Sequence, residues 1–215
     1  MNESDEERRS EVTAYHEAGH AVAFYLLHKK FKYVTISPKG EIVYQERKHK
    51  EILKKLQKRR IPSERDLKLL KRDYMISLAG PIAEGIMLKK FEYEDIRPLL
   101  YSHSGCNERE QRIDESLWRL YFEETKLLIY APWNWHAIGA LADELEKKKK
   151  IRYKEARKII RNAIEDYQGA VKSGVAAVDP GYLDFVKRVE ERKARRKEAM
   201  RRIHLNIVGR HRSAC

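Results

Sequence analysis

Cysteine is nearly absent from this chain. Cys106 and Cys215 are the only two in 215 residues, and neither belongs to a C-x-x-C pair. Neither a disulfide framework nor a cysteine-built zinc site is therefore indicated. Long apolar runs are missing as well. The longest, Ala21 to Leu27, is cut off by His28-Lys29-Lys30, far short of the roughly 20 residues a membrane helix needs. The first residues, Met1-Asn2-Glu3-Ser4-Asp5-Glu6-Glu7, are acidic and polar where a secretory leader would be basic and then apolar. No G-x-x-x-x-G-K-[ST] phosphate loop occurs, and no internal repeat is visible. The expectation is a soluble, cytoplasmic protein with no membrane segment.

With 42% apolar residues the chain can bury a substantial core, while 37% charged residues require an extensive solvated surface. The net charge of +13 is carried mainly by two segments, Arg47 to Arg60 and Lys187 to Arg202. The first has a narrow apolar stripe, Ile52, Leu53 and Leu56, and reads as a basic insertion (46–62) on the surface. The second has no aromatic residue among its cations, so a base-stacking surface is not indicated and nucleic acid is disfavoured as a partner.

Apolar spacing of three and four predicts a helix from Glu11 to His28, and alternation predicts short strands at Phe31–Ser37 and Glu41–Gln45. Ser63 followed by Glu64 and Asp66 opens a further helix, which Pro81 is expected to kink or divide. Phe91 to Cys106 has no firm period and reads as a loop, and helical patterns resume from Ile113 to Tyr167. Asp179-Pro180-Gly181 signals a turn. The expected architecture is α+β and mostly helical, with a metal-binding helix packed on a small hairpin or sheet and a helical bundle after it. The domain would span 1–168, and 169–215 would be a linker and a basic helical or disordered tail.

The chemistry concentrates at His16-Glu17-Ala18-Gly19-His20. One helical turn apart, His16 and His20 project from the same face and can reach one cation. Glu17 is rotated by about 100° and can stand beside that cation as a base without ligating it. A Zn2+ site follows, with a third ligand still to be supplied.

The residues around this motif resemble a known family. Thr13 to Val22, Tyr33 to Gly40 and Leu78-Ala79-Gly80-Pro81-Ile82-Ala83-Glu84 are similar, in order, to segments of the peptidase domain of FtsH-type AAA zinc proteases. The resemblance extends from Glu11 to about Ile160 and implies a zincin-like metallopeptidase that acts on unfolded or extended polypeptides. Without a phosphate loop, it implies a stand-alone module lacking the ATPase motor, served by a separate motor partner or assembled as a homo-oligomer. Pro81 stands where the family usually has arginine. Ser104-Gly105-Cys106-Asn107-Glu108 is similar to the segment carrying the family's third ligand, which makes Glu108 that ligand, with Glu110, Asp114, Glu84 and His103 as rivals. The resemblance also implies that Val34 to Ser37 is an edge strand open to substrate. A catalytically silent zinc-binding adaptor and a basic nucleic-acid-binding protein with a structural zinc are the alternative functions.

Overall fold

A computed structural model describes residues 3–37, 40–44, 63–90, 92–101, 108–191 and 194. The expected insertion, the loop carrying His103 and Cys106, and the end of the tail lie outside these residues. The described residues up to Ala177 form one compact unit and those from Val178 another.

The first unit is mostly helical with a small antiparallel sheet, an α+β arrangement. Its elements are α1 (Glu3–Leu26), β1 (Tyr33–Thr35), β2 (Glu41–Val43), α2 (Glu64–Met87), α3 (Tyr93–Tyr101), α4 (Glu108–Tyr130), α5 (Pro132–Lys148), β3 (Lys150–Arg152) and α6 (Tyr153–Lys172). Ala14, Ala18, Ala21 and Val22, spaced by three and four, are fully buried on α1, so the stripe that predicted the helix faces the core. The helix begins eight residues before the apolar pattern does, because its first two turns are polar. It ends where His28 turns left-handed at φ 55°, and the Arg72 guanidinium donates to the Leu27 carbonyl left open there.

Ser63 caps α2 reciprocally with Asp66: the Asp66 N–H donates to Ser63 Oγ at 3.1 Å, and the Ser63 N–H to Asp66 Oδ2 at 3.3 Å. Of the kink or division expected at Pro81, the division does not occur: α2 runs as one helix through Pro81, whose neighbours from Leu78 to Ala83 are all buried. Packing on both sides of the proline outweighs the one hydrogen bond it removes. The expected loop at Phe91 to Cys106 contains α3, for which Tyr93 and Ile96 supply the anchors. Tyr93 packs edge-on against Phe122 of α4, with centroids 5.3 Å apart. Tyr93, Ile96 and Leu100 follow helical spacing, but over a single stretch of nine residues interrupted by Pro98, so the pattern reads as a loop in sequence.

The sheet has the order β2-β1-β3 and is antiparallel throughout. Val34 pairs with Ile42 on one side and Ile151 on the other, so β1 is the central strand and not the edge its resemblance implied. The third strand, β3, has one inward apolar residue, Ile151, between exposed Lys150 and Arg152, too short a pattern to see in sequence. Downstream, α6 continues past 168 to Lys172.

In the second unit, residues 180–191 are helical. Asp179 stands at the N-cap and Pro180 at the first helical position, and Asp179 Oδ1 accepts from the Gly181 N–H at 2.8 Å. The Asp-Pro-Gly signal is therefore a helix start, where proline's missing N–H costs nothing.

Candidate metal centre

His16, Glu17 and His20 sit in the middle of α1, and the same turn carries Ala18 and Gly19 against α2. A Cβ on Gly19 would lie 2.6 Å from Ala83 Cβ and 2.7 Å from the Ala79 carbonyl oxygen. Only glycine permits this approach, which brings α2 within reach of both imidazoles.

Each ring is held through Nδ1 by a group on α2. The Ile76 carbonyl accepts from His20 Nδ1 at 2.7 Å, and Glu84 Oε2 lies 2.8 Å from His16 Nδ1. A carbonyl and a carboxylate can only accept, so both Nδ1 atoms are donors. The two Nε2 atoms face each other at 3.1 Å, within hydrogen-bond distance. The rings meet edge to face, with centroids 4.8 Å apart and planes at 76°. A separation of this size suits either one proton shared between the two nitrogens or one metal ion bound by both. Two imidazole nitrogens bound to one tetrahedral zinc at 2.0–2.1 Å stand about 3.3 Å apart, so the pair fits such an ion.

Glu17 is 5% exposed, and its Oε2 has no hydrogen-bond partner among the described residues. Burial, and then the nearby charge of Glu41, push its pKa up to about 8. The turn into β2 closes on this carboxyl. A Cβ on Gly40 would lie 2.7 Å from Glu17 Oε1 and 2.7 Å from Thr13 Cγ2. Glu17 is thus a buried carboxyl one residue from His16, in surroundings that favour its protonated form.

Gly80 seats the second ring. A Cβ there would come within 2.6 Å of His20 Cδ2 and 2.7 Å of His20 Cε1. Next to it, Pro81 gives no N–H to the Ser77 carbonyl and crowds it, and the turn just before carries the Ile76 carbonyl that accepts from His20. The Leu78-Ala79-Gly80-Pro81 segment is thus shaped around the histidines.

Of the sequence candidates, His16, His20 and Glu17 come together, and Glu84 joins them on the Nδ1 side of His16, away from His20. That position orients a ring, as carboxylates behind metal-bound histidines do. Glu108 is the first residue of α4. Its side chain and those of Glu110 and Asp114 lie outside the described residues, as does the whole of His103. Among the described residues no cluster of three His, Cys, Asp or Glu side chains could hold an ion. Gly80, Gly40 and the Ile76 carbonyl were not legible as site components. Their contributions are space and a main-chain oxygen, which leave no mark in residue type.

No family model matches the chain, and no curated protein sequence is significantly similar to it.

Proposed function

We propose that this chain is a zinc-dependent metallopeptidase of the kind its HExxH helix suggests, hydrolysing peptide bonds in extended polypeptides. The observation that carries the reading is the pair of Nε2 atoms facing each other at 3.1 Å while both Nδ1 atoms are committed to acceptors. The buried Glu17 carboxyl beside them supports it.

His16 and His20 would hold the ion through Nε2, and Glu108 is the proposed third ligand, at the start of α4. Glu84 and the Ile76 carbonyl orient the two rings. Bound Zn2+ supplies Lewis-acid polarisation of the scissile carbonyl and an acidic water. Glu17 takes the proton from the attacking water and returns it to the leaving amine. With β1 central, the strand that offers an edge beside Glu17 among the described residues is β2, where an extended chain could pair through its main chain.

The test is zinc content together with hydrolysis of an unfolded polypeptide. Unaltered protein is expected to hold one zinc per chain and to cleave. Glu17→Gln keeps the metal and loses at least about a hundredfold in rate, the usual worth of a positioned base. Glu108→Ala loses zinc to a weak chelator far more readily than Glu110→Ala or Asp114→Ala. Metal-free protein as isolated, or full activity in Glu17→Gln, would overturn the reading.

A further inference from the structure

The positive charge of this chain is not confined to the insertion and the tail. Lys147 to Arg161, the junction of α5, β3 and α6, carries nine lysines and arginines against a single acid, Glu155, and all nine are exposed. Lys147 and Lys148 are neutralised by Glu144 and Glu155 at 2.7–3.1 Å. Arg152, Lys154, Arg157 and Lys158 have no ion-pair partner among the described residues, and Lys150 lies over the Tyr33 ring, 3.6 Å from its centroid.

These cations are carried by α6 and by β3, the strand that leads directly into it. Lys154, Arg157, Lys158 and Arg161 follow helical spacing on the face of α6 opposite the buried Ala156, Ile160 and Ala163. Lys150 and Arg152 flank inward-facing Ile151, so strand alternation puts them on the outer face of the sheet with Tyr33. Arg161 is paired with Glu165 at 3.9 Å, whereas Arg152, Lys154, Arg157 and Lys158 add like charges that repel one another, and nothing in the core requires them there.

The surface is also close to the candidate metal centre. Lys150 is level with Thr35, and Thr35 with Glu41, so two strand spacings, about 10 Å, separate Lys150 from the residue next to Gly40 and Glu17. That distance is three residues of extended chain. Of the large exposed apolar side chains in the first unit, Leu67, Leu120 and Val175, none belongs to α5, β3 or α6, so among the described residues these elements offer a membrane nothing to insert and a folded partner no apolar centre.

We propose that this basic face docks acidic segments of the polypeptide substrate, a few residues from the scissile bond, and so makes the enzyme selective for acidic, extended chains. The proposal rests on the peptidase reading for its catalytic part, but the docking can be measured without catalysis.

The experiment uses the full chain and two fluorescent peptides of equal length, one with a run of glutamates beside a neutral segment and one neutral throughout. Fluorescence anisotropy with Glu17→Gln reads binding, and kcat/KM with unaltered protein reads selectivity. The acidic peptide is expected to bind at least about tenfold more tightly, with the advantage eroding as salt is raised. The triple variant Arg152→Gln, Lys154→Gln, Arg157→Gln, altered only at exposed positions, is expected to lose that advantage through KM rather than kcat. Acidic-peptide binding that disappears in the triple variant while neither peptide is cleaved would leave the docking face standing and remove the peptidase reading. Equal binding of the two peptides would overturn the docking proposal. So would binding of a single-stranded oligonucleotide to this face at a salt concentration where the acidic peptide does not bind, because the face would then serve nucleic acid.

Discussion

His20 occupies the space that a side chain at Gly80 would fill: a Cβ there would lie 2.6 Å from His20 Cδ2 and nearer still to Nε2. Gly80→Ala should therefore keep α2, since alanine is the better helix former, yet displace the ring from its partner His16. The expected outcome is a folded protein with normal helical circular dichroism and at least about a tenfold loss in zinc affinity. Retention of full zinc affinity would show that the ring does not need this seat.

Glu84 holds His16 from behind at 2.8 Å. Glu84→Ala should lower zinc affinity by about 10- to 100-fold without abolishing binding, the usual effect of losing a group that orients a ligand. Glu84→Gln keeps an acceptor oxygen and should cost less. Competition against a chromogenic chelator measures both. A loss as complete as that of His16→Ala would make Glu84 a ligand.

Glu17 couples the stability of the zinc-stripped protein to pH. Its folded pKa, about 8, lies above the unfolded value of 4.5, so between these limits the folded state binds more protons than the unfolded one. Stability is then fully present below the unfolded pKa and is lost as pH rises through this window, by up to about 1.4 kcal/mol per pH unit. Urea midpoints of zinc-stripped protein should fall from pH 5 to pH 8. Glu17→Gln, with nothing to ionise, should lack this component, and identical slopes in the two proteins would exclude it.

Lys89 follows the end of α2 in a left-handed conformation, φ 57°, with its N–H donating to the Ile86 carbonyl at 3.0 Å and its side chain exposed. Glycine has no Cβ to strain there. Lys89→Gly should stabilise the protein by about 0.5–1 kcal/mol, after allowing for glycine's greater freedom in the unfolded chain. Thermal unfolding checks the sign, and a lower midpoint would mean that the lysine side chain contributes more than the strain costs.

The residues that could be read directly are those whose role follows from spacing along one helix. His16 and His20 share a face, with Glu17 about 100° beside it, because 3.6 residues make a turn, and the apolar stripe of α1 orients these residues inward. The capping box at Ser63 and Asp66 is equally local. By contrast the short pattern of α3, interrupted by Pro98, reads as a loop, and Asp179-Pro180-Gly181 looked like a turn because an N-cap and a turn use the same residue types.

By itself, then, the amino-acid order determined the face that His16 and His20 share, the mostly helical character and the places of the main helices, all consequences of contacts within a few residues. Only the tertiary structure decided that β1 lies between β2 and β3, that the Ile76 carbonyl and Glu84 hold the two rings, and that Gly80 gives His20 its space. These relationships join groups 56 to 68 residues apart at the histidines and bring Lys150 beside Thr35 across more than a hundred. Such pairings leave no periodic trace along the chain, because which distant partner a strand edge or a ring nitrogen meets is settled by how the helices pack.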